Sequence, residues 1–179
     1  MNTGQMLLTV GAVILLGTTV ITVNNSSLHH GTILQVTQVG VYGISLATSV
    51  IEEASGKSFD QNTDNAEVSL PSSMSATLGP ESGETTTPPS TGYFNDFDDY
   101  NGLTKKDTVA GVDIFTTKIK VYYVSDVAPE VKSGTQTFFK RMDVMVIPSG
   151  TADTSRLKMG LATGDTIKLS YIYSYFNFR

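Results

Sequence analysis

The side chains best suited to chemistry lie in the segment FNDFDDYNG at residues 94–102, which offers four oxygen-bearing groups: Asp96, Asp98, Asp99 and Asn101. Carboxylate and amide oxygens are the ligands that Ca²⁺ prefers. The order of an EF-hand loop is absent, because counting back from Gly102 places Phe97 at the first ligand position and Thr108 at the last. We therefore interpret the segment as an acidic surface loop and keep a Ca²⁺ site at Asp96, Asp98, Asp99 and Asn101 only as the weaker alternative. Three aromatic side chains are expected to pin this loop to the domain: Phe94, Phe97 and Tyr100.

Residues for catalysis are scarce. Asp98 and Asp99 are adjacent, so they cannot face each other across a glycosidic bond. The two histidines, His29 and His30, are also neighbours and point in different directions on a helix. The sequence has no cysteine, HExxH motif, nucleophile elbow or glycine-rich phosphate loop. We expect no enzyme activity and no cofactor, and an exported enzyme is kept only as a third hypothesis.

Charge is distributed very unevenly along the 179 residues. No Lys, Arg, Asp or Glu precedes Glu52. Residues 52–107 contain eleven acidic and three basic residues, whereas residues 108–179 contain six acidic and nine basic ones. Without a basic stripe to neutralise phosphates, nucleic-acid binding is not expected. The opposite charges favour either contacts between copies of the chain or simply a solvated acidic loop beside an ordinary domain.

The first elements needed to position these groups are helical. Residues 6–23, MLLTVGAVILLGTTVITV, form an 18-residue run without a charged residue, which is the lower bound for a membrane-spanning helix. A cleaved signal peptide is disfavoured, because no Lys or Arg precedes the run and no small-x-small pattern follows it. Such a helix must lie in lipid or in a bundle of its own kind, and its packing residues are predicted to be Leu7, Leu8, Val13, Ile14, Leu15, Leu16, Val20 and Ile21.

A second helical stretch follows. Steps of three and four residues place Val36, Val39, Gly43, Leu46, Val50 and Ala54 on one face. Gly56 is placed to end the helix. The polar patch at residues 24–27, together with Gly31, is the candidate position of a break or kink, and the pattern leaves the continuity of the helix open. Close helix packing is the preferred explanation for the other small residues, Gly11, Gly40 and Gly43.

The remaining chain predicts a loop and then a sheet. Residues 69–92 are rich in Ser, Thr, Pro and Gly, which is typical of a linker that is mobile or drapes over the domain. Period-two alternation begins at residue 112 and recurs in three runs, 112–124, 137–147 and 166–179, which predicts an antiparallel meander. In the first run, Phe115, Thr117, Ile119, Val121 and Tyr123 are expected to oppose Asp113, Lys118 and Lys120. An apolar sheet face needs a cover, so we predict an α+β fold in which the distal half of the long helix packs on the sheet.

This layout resembles the type IV pilin and pseudopilin superfamily, whose members combine a long N-terminal helix, a variable loop and an antiparallel sheet. Gly4 stands directly before the apolar run, like the glycine that precedes a prepilin-peptidase cut, and Gln5 would then be the mature N-terminus. The segment at residues 94–102 is similar to a DDYNG segment that recurs after the helix in pilin-like proteins.

The resemblance implies a structural subunit of an extracellular filament at the cell surface, a homopolymer held by its N-terminal helices. The expected partners are the inner membrane, which holds the precursor before assembly, a prepilin peptidase and an assembly platform. The alternative is a membrane-anchored monomeric extracytoplasmic domain for binding or adhesion. The predicted organisation is a leader at 1–4, an apolar helix for membrane or filament core at 5–27, an amphipathic helix half at 28–56, a loop or linker at 57–111 and a β domain at 112–179.

Overall fold

The computed structural model describes residues 2–64, 66–81, 84, 94–149 and 166–178, except for the side chains of residues 32, 35, 177 and 178. Much of the Ser/Thr/Pro-rich loop (82–83 and 85–93) and the loop before the last strand (150–165) therefore lie outside the described residues. The described elements are one α-helix and four β-strands: α1 (Thr3–Ser55), β1 (Thr104–Val109), β2 (Asp113–Tyr123), β3 (Phe139–Pro148) and β4 (Ile167–Ser174). The chain divides into two compact units, residues 1–38 and 39–179.

Helix α1 continues through the polar patch and Gly31, so there is no break at the candidate position. Ser and Asn cost a helix only a few tenths of a kcal/mol each, and glycine about 1 kcal/mol. Extending a helix that has already nucleated costs less than starting a second one, which favours continuity. The helix ends at Ser55, as predicted, and the Gly56 N–H donates to the Glu52 carbonyl at 3.3 Å.

The four strands form one antiparallel sheet in the order β1-β2-β3-β4, a simple meander. In the register, Thr108 pairs with Ile114, Ile119 with Val144, and Val144 with Leu169. The first strand lies inside the segment predicted to be linker, so the sheet begins at Thr104 rather than at residue 112. Strand β1 reads TKKDTV and contains no buried residue, which is why its alternation gives no apolar signal.

The inner face of the sheet carries the core of the second unit. The buried residues of β2 and β3 include Phe115, Ile119 and Val121 and, from β3, Met142, Val144 and Val146. The later part of α1 packs in the same core through residues of the predicted stripe, including Val39, Val50 and Ala54. A Cβ on Gly43 would lie 2.2 Å from Ile167 Cδ1, so this glycine allows close packing of α1 against β4.

One residue of strand β2 and one of helix α1 face differently from the prediction. Asp113 is buried on the same face as Phe115, because two residues share a face when their separation is even. Val36, at the start of the predicted stripe, is exposed, so the buried stripe of α1 begins at Val39.

The described part of the connection between α1 and β1 drapes over the second unit instead of lying free. Its buried side chains are Phe59, Asp60, Met74, Phe94, Phe97, Tyr100 and Leu103, with neighbours that include three aspartates considered below. Phe97 and Tyr173 have ring centroids 4.8 Å apart, and Phe94 and Tyr100 lie 5.0 Å apart in an edge-to-face arrangement. The prediction that aromatic side chains pin this loop is confirmed.

Candidate functional site

The first part of α1 presents an exposed apolar surface. The eight predicted packing residues, Leu7, Leu8, Val13, Ile14, Leu15, Leu16, Val20 and Ile21, are 60–76% exposed. The helix contains an 18-residue window with a mean hydropathy of 2.3, so it is long and apolar enough to cross a membrane. This segment therefore has the composition of a protein interior on a surface open to solvent.

The threonine hydroxyl groups in this segment donate hydrogen bonds to carbonyl groups of the same helix. Thr19 Oγ1 donates to the Leu15 carbonyl at 2.7 Å, Thr22 Oγ1 to the Thr18 carbonyl at 2.8 Å, and Thr9 Oγ1 to the Met6 carbonyl at 2.9 Å. Because each hydroxyl is bonded within the helix, these residues add little cost when the segment enters an apolar medium.

Gly4 and Gln5, the residues of the predicted processing site, lie within the first turn of α1. The Gln5 N–H donates to the Asn2 carbonyl at 2.9 Å, and a Cβ at Gly4 would meet no heavy atom within 4 Å. Among the described residues, no neighbouring atom prevents a larger side chain at position 4.

A second functional candidate is a buried ion cluster centred on Lys140 of β3. The Lys140 side chain is 0% exposed, and its ammonium donates to the Phe59 carbonyl at 2.7 Å, to Asp60 Oδ2 at 2.8 Å and to Asp98 Oδ1. It also lies 4.6 Å from the centroid of the Phe59 ring. An ammonium has three protons to donate, so Lys140 is fully engaged.

Asp60 is held as an ion by this environment. Its carboxylate accepts from Lys140, from the Ser75 hydroxyl at 2.8 Å, from the Asn62 N–H at 3.1 Å and from the Tyr123 hydroxyl at 3.1 Å. Burial by itself raises the pKa of Asp60, but the charge of Lys140 and these hydrogen bonds outweigh burial and lower it. The pair therefore joins the start of the loop, at residue 60, to strand β3.

The aspartates of the segment at residues 94–102 are completely buried, which corrects the prediction of an acidic surface loop: Asp96, Asp98 and Asp99 are each 0% exposed. Two of them brace a 3₁₀ turn at Asp98–Tyr100. Asp96 Oδ1 accepts from the N–H groups of Asp98 at 2.9 Å and Asp99 at 3.2 Å, while Asp99 Oδ2 accepts from those of Asn95 at 2.9 Å and Asp96 at 3.1 Å. Their backbone bonds and the Lys140 ion pair draw the segment inward.

Asn101 and Gly102 complete the return of the chain to the sheet. The Asn101 amide donates to the Leu78 carbonyl at 2.9 Å and accepts from the Val121 N–H at 3.0 Å. Gly102 has a φ of +84°, a conformation that other residues adopt only with strain, and its N–H donates to the Ile119 carbonyl at 3.1 Å. Asn101 thus uses both ends of its amide in hydrogen bonds within the fold.

Glu81 and Glu84 approach the aspartates from the preceding loop. We call Glu81, Glu84, Asp96, Asp98 and Asp99 the carboxylate cluster. It consists of two groups that share Glu81, and within each group the ligand atoms lie within 4.8 Å of one another: Glu81, Glu84 and Asp99, and Glu81, Asp96 and Asp98. Burial and the neighbouring negative charges raise the pKa of Glu81 to about 7 and that of Asp96 to about 8.

Three oxygens of the carboxylate cluster are buried without a hydrogen-bond partner: Glu81 Oε2, Asp96 Oδ2 and Asp99 Oδ1. The other oxygen of Asp96 and of Asp99 is occupied by the backbone N–H groups described above. Asp98 differs, because one oxygen bonds Lys140 and the other accepts from the Gly79 N–H at 3.3 Å. The chemistry available here is the binding of a positive species by carboxylate oxygens.

Sequence reasoning missed Lys140, Asp60 and Glu81. Lys140 had a usable signal, since it has the same parity in β3 as the buried Met142, Val144 and Val146. Asp60 and Glu81 lie in irregular segments without any periodic pattern. Their roles depend on partners that are distant in sequence.

No protein-family model, curated protein or solved structure matches this chain.

Proposed function

We propose that this chain is the structural subunit of an extracellular type IV pilus-like filament and that it polymerises through the first part of α1. The observation that carries the proposal is the uncharged helical segment with eight large apolar side chains 60–76% exposed. So much apolar surface is not stable in water and requires lipid or protein to cover it. The α+β domain with a helix packed on an antiparallel meander agrees with a pilin-like fold.

A second copy of the chain is the occupant that fits this surface in the final state. Packed apolar helices and lipid tails are similarly apolar, so a subunit moves from membrane to helical bundle without a large hydrophobic penalty. Small residues let helices approach closely, and a Cβ at Gly11 or Gly17 meets nothing within 4 Å in the isolated chain. Contacts that repeat head to tail without closing produce a fibre.

In this proposal the membrane holds the precursor, and a prepilin peptidase cuts between Gly4 and Gln5. An assembly platform then extracts the subunit into a filament at the cell surface. The second candidate function is a monomeric binding or adhesion domain anchored by an uncut helix, which the same apolar segment also favours. The two differ in whether copies of α1 contact one another.

Gly11→Leu separates the two candidates. Leucine keeps the segment apolar, so membrane insertion is preserved, but its bulk prevents close approach of neighbouring helices. Val13→Leu is the matched control, because it adds bulk where a large side chain already stands. We expect filaments in sheared cell-surface material from the parent and the control, seen by negative-stain microscopy, and their loss in Gly11→Leu with unchanged membrane content.

Mass spectrometry of the chain recovered from filaments tests processing in the same preparation. A mature N-terminus at Gln5 supports the proposed cut. Absence of filaments containing the parent chain overturns the filament proposal, and a chain found only in membranes supports the anchored monomer instead.

A further inference from the structure

We propose that the carboxylate cluster binds one Ca²⁺ ion, with Glu81, Asp96 and Asp99 as protein ligands. The ion would tie the loop that contains Glu81 to the turn at Asp98–Tyr100. This inference goes beyond the filament proposal and does not depend on it.

The first argument is the set of buried oxygens without partners. Buried polar atoms are almost always hydrogen-bonded, and each exception needs an explanation. Here three exceptions fall in one cluster: Glu81 Oε2, Asp96 Oδ2 and Asp99 Oδ1. Asp96 and Asp99 are each 0% exposed, so bulk water does not solvate these oxygens. All three belong to carboxylates, which in their ionised form accept but do not donate.

The second argument is charge. The carboxylate cluster and Asp60 together contain six carboxylates, and within the part of the chain that the structure describes the Lys140 ammonium pairs with two of them, Asp60 and Asp98. That ammonium, on Lys140, already has three acceptors and its carboxylate partners are Asp60 and Asp98. Among the described residues, no ion pair joins Glu81, Asp96 or Asp99 to a basic side chain. A divalent cation among them supplies the missing positive charge.

The third argument is the geometry of the ligand atoms. Ca²⁺ binds oxygen at about 2.3–2.6 Å, so two ligands on opposite sides of the ion are about 4.6–5.2 Å apart. The ligand atoms of Glu81 lie within 4.8 Å of those of Asp96 in one group and of Asp99 in the other. Ca²⁺ accepts an irregular set of carboxylates, whereas Mg²⁺ requires near-octahedral geometry and keeps several waters. A buried, uneven set therefore favours Ca²⁺.

The test measures thermal unfolding of the full chain in detergent micelles, by the near-ultraviolet circular dichroism of its tyrosines, in EDTA and in CaCl₂. At a Ca²⁺ concentration about 100-fold above the dissociation constant, we expect a rise in Tm of about 5–10 °C. Glu81→Gln and Asp96→Asn should lose that rise. Asp96→Asn keeps the acceptor oxygen that braces the turn, and Glu81 is only half-buried, so both variants are expected to fold.

The matched control is Asp126→Asn, which removes a carboxylate of an exposed residue outside the cluster and should keep the full rise. Tyrosine-sensitised Tb³⁺ emission, displaced by Ca²⁺ in the parent and absent in Glu81→Gln, gives an independent measure of binding. The proposal is overturned if Ca²⁺ does not change the Tm of the parent, in which case protons satisfy the carboxylates. It is also overturned if Glu81→Gln and Asp96→Asn keep the parent's rise, in which case Ca²⁺ binds at another site. An equal rise with Mg²⁺ overturns the assignment to calcium.

Discussion

The first part of α1 and the surroundings of Lys140 differ from the usual distribution of side chains between surface and interior, in opposite ways. Leu8 of the helix is 76% exposed, whereas the second unit buries Lys140 and four aspartates at 0% exposure. Large apolar groups are usually inside and charges outside, because water solvates charges and not hydrocarbon. The charged region satisfies Lys140 with partners from its own chain. The apolar segment is largely exposed within the described chain, which is why we propose that it contacts a partner.

The largest effect is expected from breaking the buried ion pair. Lys140→Met leaves Asp60 and Asp98 as buried carboxylates without their cation, which should lower the free energy of unfolding by about 3–5 kcal/mol. Guanidinium unfolding of the full chain in micelles, followed by tyrosine circular dichroism, measures this loss. Lys118→Met is the matched control, because Lys118 is exposed in β2 and its replacement should change stability by about 0.5 kcal/mol or less. Equal losses in both variants would contradict a structural role for the pair.

The next largest effect is a difference in how much stability the two regions lose when an apolar side chain is truncated. Val144→Ala, at a position that is 0% exposed in β3, should cost about 2 kcal/mol, because it removes buried methyl groups and leaves a cavity. Leu16→Ala removes more hydrocarbon from a residue that is 66% exposed in the chain. In the same unfolding assay in micelles, we expect no measurable loss of domain stability from Leu16→Ala. A comparable loss would show that the first part of α1 contributes to the fold of the domain.

Sequence patterns predicted the parts of the structure that depend on regular spacing. Three of the four strands, the long helix and its packing face from Val39 to Ala54 follow from periods of two and about 3.6. The pattern does not predict strand β1, because TKKDTV buries no residue and thus lacks the apolar alternation that identifies a strand. The local polarity of residues 24–27 does not interrupt α1, because extending a helix costs less than nucleating a second one.

The ion cluster could be predicted only in part, for a different reason. The aspartates at residues 94–102 stand out by type and spacing, but the buried partner of Asp98 is Lys140, which is more than 40 residues away in sequence. The parity of Lys140 in β3 indicates that it points inward, although it does not indicate its partners. Asp60 and Glu81 reach the cluster through irregular loops, and no local pattern encodes such contacts.

The outer face of the sheet offers a smaller, pH-dependent contribution. Burial alone raises the pKa of Asp143, but hydrogen bonds from Arg141 at 2.8 Å, Ser170 at 2.7 Å and Tyr122 at 2.7 Å outweigh it and lower the pKa. A lowered pKa in the folded state contributes stability above the unfolded value of about 3.9, and this contribution is lost as the pH falls through the folded value. We expect Asp143→Asn to cost about 1 kcal/mol at pH 7. Unfolding free energies measured at pH 7 and at pH 3 should show that the difference between Asp143→Asn and the parent is smaller at pH 3. A difference that is the same at the two pH values would contradict the assignment.

The smallest effect concerns Gly40 and Gly43 of α1, for which the sequence analysis offers the same explanation, close helix packing. A Cβ at Gly40 meets nothing within 4 Å, so Gly40→Ala should stabilise the domain by up to about 1 kcal/mol through helix propensity. At Gly43 the same Cβ lies 2.2 Å from Ile167 Cδ1, so the gain in propensity is offset because the Ile167 side chain must move. Unfolding free energies of the two variants should therefore differ by about 1 kcal/mol in favour of Gly40→Ala. Equal stabilities would mean that Ile167 adapts freely and that close approach at Gly43 does not fix how α1 packs on β4.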